Sequence, residues 1–392
     1  MSFPSSVDGA IVLRVLRALA QQPGMTRAEL AEHAAASRPS VSAALRLLED
    51  RGLLEQRASD VERPAIGRPP MHVFLAGTAA SSVGLEVTRT ELRAAIFDAA
   101  GGLLAEAASP IGGFEDVDGL LDDAERLVGD LVEQGSGPVL GIGVAVAAPI
   151  DRAGRVVDGV SLTRWAQVDL RRELSERLGL PVTVENDANA AALAEHRFGA
   201  GRDCAELLYL HLSPGVGAGL ILGNRLYRGA AGIAGELGHV TVDPDGALCS
   251  CGSRGCLETI AGPRALEGEL RSARGFEPLG EWIALAGTGD RQVRRLVADA
   301  GTAIGTAVAT AVNLLNPGRV VVGGRLADAG PVLLDAIDAA LVRDAIEPAA
   351  ARARVVAGEL GSRAAILGVA AAVVSQELVA LVAPETVSAT VA

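Results

Sequence analysis

Three cysteines fall within eight residues, Cys249, Cys251 and Cys256, and His239 precedes the first of them by ten positions. Three thiolates and one imidazole are the donor set of a closed tetrahedral zinc site. Gly252 and Gly255 within the run supply the tight turns that wrapping an ion requires. The competing reading, buried thiols without a metal, must explain by packing alone why three of the four cysteines crowd together. Four in 392 residues are too few for a disulfide framework. The spacing therefore predicts one structural zinc per chain, held by His239, Cys249, Cys251 and Cys256. Cys204 lies apart and reads as a small core residue.

Asn186, Asp187, Glu236 and Glu258 form a second chemical group. One amide and three carboxylates can each exchange two hydrogen bonds with the vicinal hydroxyls of a polyol, with no cofactor needed. Asn186 and Asp187 have an equally good local role, because they open an Ala-rich helix over 186–196, where Asn and Asp are favoured caps. A zinc ion holding His239 would keep the segment from Glu236 to Glu258 in shape from behind the polar residues.

The third group is N-terminal. Ile11, Val12, Val15, Leu16 and Leu19 recur at helical spacing, and Gln21-Gln22-Pro23-Gly24 ends that helix. Thr26 with Glu29 makes a capping box for a second helix over 27–34, and Pro39 opens a third that runs to about Asp50. The third buries Val41, Leu45 and Leu48 on one stripe. Ser42 and Arg46 then face outward, with Arg38 and Ser40 at its N-terminal end, which is the layout of a recognition helix. Two strands follow, 52–57 and 71–75, around a Pro-rich loop that contains Arg68. The sum is a winged helix-turn-helix over 1–76, with Arg38, Ser40, Ser42, Arg46 and Arg68 as candidate DNA contacts. A plain three-helix bundle serving dimer contacts is the alternative, since residues 1–75 carry nine Arg against eight acids.

Composition removes several classes of function. The chain contains no lysine, so all 35 basic residues are arginine, and P-loop nucleotide hydrolysis and Schiff-base chemistry have no residue to use. A net charge of -13 argues against indiscriminate coating of nucleic acid. Apolar runs such as 10–20 are interrupted by Arg14 and Arg17, short of the ~18 uninterrupted residues a span needs. A cytoplasmic protein without a membrane partner is the expectation.

From residue 81 the pattern becomes strand, turn, strand (82–87 and 92–98), then a helix over 115–134. It recurs about 125 residues later at 207–213 and 218–222, with 139–146 and 181–184 as further strands, which implies two similar α/β lobes.

On these residues the chain resembles the ROK family of repressors, open reading frames and sugar kinases. Glu236-Leu-Gly-His239 followed by the cysteine cluster and Glu258 looks like the family signature. Glu185-Asn-Asp-Ala-Asn-Ala190 resembles its sugar and catalytic-base motif, Gly215-Val-Gly-Ala-Gly219 its second phosphate loop, and Asn313-Leu-Leu-Asn-Pro317 with Gly323-Gly324 its nucleotide-side segment. The resemblance covers about residues 80–380. It implies an α/β, two-lobed, actin-like (ribonuclease H-like) ATPase fold behind the winged helix: a first lobe of about 77–195 plus the C-terminal helix, and a second of about 196–365, within 77–392. It also implies a sugar site of Asn186, Asp187, Glu236, His239 and Glu258, with Asp187 at the base position.

The first hairpin departs from the kinase pattern. Where ROK kinases place Asp then Gly-Gly-Thr, this chain reads Gly84-Leu-Glu86-Val-Thr88-Arg89-Thr90, and side chains there obstruct backbone approach to phosphate. Ser161-Leu-Thr-Arg-Trp165 also replaces a segment that lies beside the sugar in kinases. The resemblance therefore implies a sugar-responsive repressor without kinase activity, bound to operator DNA as a homodimer or higher oligomer. Its effector is a sugar or, as for some ROK repressors, a transport-system protein. An active sugar kinase with an accessory DNA-binding domain is the alternative.

Overall fold

The computed structural model describes residues 8–58, 71–88, 90–111, 116–157, 168–213, 215–275 and 279–382. They form two compact units, one drawn from Met1–Ala145, Leu170–Val184 and Val369–Ala392, the other from Val146–Asp169 and Glu185–Gly368.

The first unit opens with helices Gly9–Gln21, Arg27–His33 and Arg38–Asp50. Each N-terminus is closed by the residue before it. Asp8 accepts from the Ala10 amide at 2.9 Å, Thr26 and Glu29 complete their capping box, and Ser37 accepts from the Ser40 amide at 3.2 Å. Val12, Val15, Leu16, Leu30, Val41, Leu45 and Leu48 meet in a common core. Strands β1 (Met25–Thr26), β2 (Leu54–Ala58) and β3 (Met71–Leu75) make an antiparallel sheet in the order β1-β3-β2. The sequence reading finds β2 and β3 and misses β1, which at two residues shows no periodicity. Arg68 and its Pro-rich loop lie outside the described residues.

Two five-stranded sheets follow. The first holds β4 (Ser81–Val87), β5 (Glu91–Asp98), β6 (Leu103–Pro110), β7 (Val139–Val146) and β8 (Val182–Asn186) in the order β6-β5-β4-β7-β8. The second holds β9 (Leu207–Ser213), β10 (Gly215–Leu222), β11 (Arg225–Leu226), β12 (Arg319–Gly323) and β13 (Arg354–Ala357) in the order β11-β10-β9-β12-β13. Counted within its own sheet, each runs 3-2-1-4-5. In both sheets the first two strands pair antiparallel, and in the second β12 runs parallel to β9 and to β13. This duplicated topology is the actin-like, ribonuclease H-like α/β fold. Strand β6, an Ala-rich run without a β-branched residue, escapes the sequence reading because its own composition carries no strand signal.

Helix Asp187–Phe198, grouped mostly with the first lobe in the sequence reading, packs on the second sheet. Gly219 of β10 comes so near it that a methyl group there would stand 2.6 Å from the Ala188 carbonyl oxygen. The long helix Arg291–Leu315 buries Val293, Val297, Ile304, Val308 and Val312 in the core of the second unit. Among the described residues it alone has the length and apolarity of a membrane span, and its burial gives it a core role.

Candidate functional site

Strand β8 ends at Asn186 and a helix begins at once with Asp187. Asn186 caps that helix, accepting from the Asn189 amide at 3.0 Å. Its Nδ2 donates to the Ala148 carbonyl and to Oδ1 of Asp187, both at 3.1 Å. The cap and the placement of Asp187 are thus one arrangement. Burial pushes the Asp187 carboxyl above the usual carboxylate range, and His211 opposes it.

Glu236 opens a single 3-10 turn, Leu237–His239, and Glu258 lies on the short helix Leu257–Ala261. Burial pushes the Glu236 carboxyl up, the His239 imidazole pulls it down, and the like charges of Asp187 and Glu258 push it up further. Oε2 of Glu258 accepts from the Val216 amide at 3.0 Å. Asn186, Asp187, Glu236, His239 and Glu258 are therefore neighbours in space, although 72 positions separate the first from the last. Carboxyl groups brought this close offer several acceptors to a ligand of many hydroxyls.

Three residues that the sequence reading leaves unassigned support this cluster. Glu185 is buried, and its Oε2 takes two hydrogen bonds from Arg228, at 2.8 Å from Nε and 2.5 Å from Nη2. Its Oε1 accepts from the Asn186 amide and from Nδ2 of Asn189, both at 3.1 Å. The pair fastens the loop that leads to Glu236 onto the start of the Asp187 helix. The third is His211 on β9, whose Nε2 lies 3.6 Å from Oδ2 of Asp187. Its one sequence signal is an ionisable side chain in an otherwise apolar strand.

The cysteine hairpin is built as its spacing requires. Isolated bridges pair Thr241 with Cys256 and Leu248 with Arg254, while Gly252 and Gly255 take φ of +90° and +60°, the left-handed region. Nδ1 of His239 stands 3.6 Å from the Cys249 sulfur, Cys251 and Cys256 sulfurs are 3.7 Å apart, and the four donor atoms lie within 4.8 Å of one another. Burial and the neighbouring thiols push Cys256 up to about 12, whereas the Ser253 backbone pulls Cys251 down. Three thiols and an imidazole whose donor atoms lie this close together fit a tetrahedral metal ion, which would replace the thiol protons.

The phosphate loops differ from each other. In the first, the Thr88 hydroxyl donates to the Glu91 carbonyl at 2.9 Å and accepts from the amides of Thr90 and Glu91 at 3.4 and 3.1 Å. Amides that could cradle a phosphate are occupied by the turn's own side chain. Arg89 and Ser161–Trp165 lie outside the described residues. In the second, the alternating glycines have a packing cause: a methyl group at Gly215 would meet Oε2 of Glu258 at 2.5 Å, and Gly219 abuts the Asp187 helix.

In the winged helix, Arg38 and Arg46 are exposed and Ser40 and Ser42 half-buried, while Val41, Leu45 and Leu48 are fully buried. The Ser40 hydroxyl lies 2.8 Å from that of Ser37, so it also serves the cap.

Residues 82–377 match the ROK family, and residues 7–63 match the MarR family. The xylose repressor of Caldicellulosiruptor bescii is 30% identical over 333 residues, covering 80% of this chain and 82% of that protein. A crystal structure of a ROK family transcriptional regulator, a homolog of the E. coli MLC protein, is 26% identical with a TM-score of 0.74, covering 96% of this chain and 98% of that one. The ROK family glucokinase of Streptomyces griseus, solved with glucose and AMPPNP, is 31% identical with a TM-score of 0.67, over 74% of this chain and 98% of its own.

Proposed function

This chain belongs to the ROK family, and from that premise we propose that it is a sugar-responsive transcriptional repressor whose kinase-like part binds a sugar without phosphorylating it. The observation that carries the reading is the Thr88 turn. Its hydroxyl takes up the backbone amides of the first hairpin, while the acceptor-side group of Asn186, Asp187, Glu236, His239 and Glu258 is assembled.

The N-terminal segment supplies the output. Arg38, Ser42 and Arg46 present charge and small polar groups on the outer face of the third helix, the chemistry that reads base edges and phosphates in a major groove. Arg68 is a further candidate DNA contact by its residue type alone. With so little net positive charge over residues 1–75, tight binding calls for two recognition helices on an inverted repeat, hence a homodimer or higher oligomer on operator DNA. The regulated genes would be those for carbohydrate uptake or catabolism, and the protein works in the cytoplasm. A transport-system protein is a second class of effector.

The metal in this scheme is zinc, one ion per chain, held by His239, Cys249, Cys251 and Cys256. It would supply structural cross-linking alone, since all four positions of a tetrahedral site are filled by protein.

A second reading, an active sugar kinase with an accessory DNA-binding domain, draws on the likeness to a glucokinase and on Asp187 at the base position. Calorimetric titration of the full chain with xylose, glucose, N-acetylglucosamine and ATP separates the two. Heat with a sugar and none with ATP supports the repressor. Heat with ATP, followed by ADP release, selects the kinase.

A further inference from the structure

We propose that His211 is a positioning residue of the sugar site: fixed by Tyr209 as an Nε2–H donor, it holds Oδ2 of Asp187 as the acceptor for a sugar hydroxyl. The inference rests on the sugar-site reading above and adds a residue to it.

The hydrogen bonds of Asp187 divide its two oxygens. Oδ1 is occupied, accepting from the Ala188 amide at 2.8 Å and from Nδ2 of Asn186 at 3.1 Å. Oδ2 is the oxygen left for a ligand, and it faces Nε2 of His211 at 3.6 Å. An ionised Asp187 only accepts, so a proton on Nε2 of His211 suits this contact. In the neutral imidazole Nδ1 is then an acceptor, and it lies 3.5 Å from the Tyr209 hydroxyl, whose proton it can take. Tyr209 is fully buried, its ring centroid 6.1 Å from that of His211. The phenol is held tightly: a methyl group on Gly323 would stand 2.8 Å from its Cζ. Packing sets the geometry of the array Tyr209, His211, Asp187, and the Nε2–H form of His211 is the one that suits both of its neighbours.

The charges around Asp187 show why such a donor is needed. Glu236, from the turn that opens Leu237–His239, interacts electrostatically with both Asp187 and Glu258. Both are of the same sign. Burial also favours the neutral acid, and His211 from β9 is the largest influence in the opposite direction. Without His211, Asp187 takes up a proton at a higher pH. Sugar affinity that depends on the carboxylate is then lost as pH falls through that value and recovered as pH rises.

The test uses the full chain with His211→Leu and His211→Gln, the second keeping a neutral donor. Xylose, glucose and N-acetylglucosamine are titrated by calorimetry between pH 5.5 and 8.5. Infrared difference spectra against Asp187→Asn follow the protonated carboxyl band in ligand-free protein. In the wild type and His211→Gln, affinity for the responding sugar should change little over this range. His211→Leu should lose affinity severalfold at the acidic end and recover it at the alkaline end as the Asp187 band titrates higher. A uniform loss at every pH with the band unmoved would mean that His211 merely fills space, and the proposal falls. If the band moves while no sugar binds even the wild type, the tie between His211 and Asp187 stands and the sugar reading falls.

Discussion

Oε2 of Glu236 lies 3.8 Å from Nε2 of His239, the ring whose other nitrogen points at the Cys249 sulfur. One imidazole thus touches both the carboxylate group and the cysteine cluster. A metal on Nδ1 would orient the ring, make Nε2 the proton-bearing nitrogen, and fix the donor that meets Glu236.

The first expectation concerns that metal. Protein purified without chelator should contain about one zinc per chain by elemental analysis. Cys256→Ser should release it and lower sugar affinity, because the segment from Glu236 to Glu258 loses its cross-link. Hydrogen exchange should quicken over 236–258 before the rest of the chain. Less than a tenth of an equivalent of zinc in the wild type would refute the assignment.

The Thr88 turn predicts a chemical silence. In a coupled ADP assay, with each candidate sugar, turnover should stay far below the ~1–100 s⁻¹ of working kinases. Turnover within that range would overturn the repressor-only reading.

Operator recognition is expected to separate from sugar binding. Arg46→Ala should weaken the mobility shift on the operator by about 1–3 kcal/mol, about fivefold or more, with sugar affinity unchanged. Glu236→Ala should leave the shift intact and insensitive to sugar. Wild-type operator binding by Arg46→Ala would show that the third helix has been misassigned.

Core packing gives a prediction about stability. Gly305 of helix Arg291–Leu315 faces helix Pro331–Asp344 so closely that a methyl group would stand 2.6 Å from Cβ of Ala340. Gly305→Val should destabilise the protein by about 1–3 kcal/mol or more, because neither helix can retreat without opening the core. Denaturant titration measures it, and an unchanged midpoint would mean that the two helices do not pack this tightly.

The sequence alone determined what depends on near neighbours in the chain. The cap at Thr26, the buried stripe of Val41, Leu45 and Leu48, and the His239 to Cys256 donor set lie within a few turns or one hairpin, so residue type and spacing suffice to place them. The ROK motifs likewise marked Asn186, Asp187, Glu236 and Glu258. Tertiary structure decided the rest, because it depends on partners far apart in sequence. Strand β6 exists through its pairing with β5, since its alanines have no strand preference of their own. The glycines of β10 are explained by the helix and the Glu258 carboxylate that press against them. Glu185 and Arg228, 43 positions apart, and Asp187 and His211, 24 apart, show nothing locally of their pairing. Burial is what gives those pairs their force: a charge removed from water must find a partner, and only the folded chain decides which one it meets.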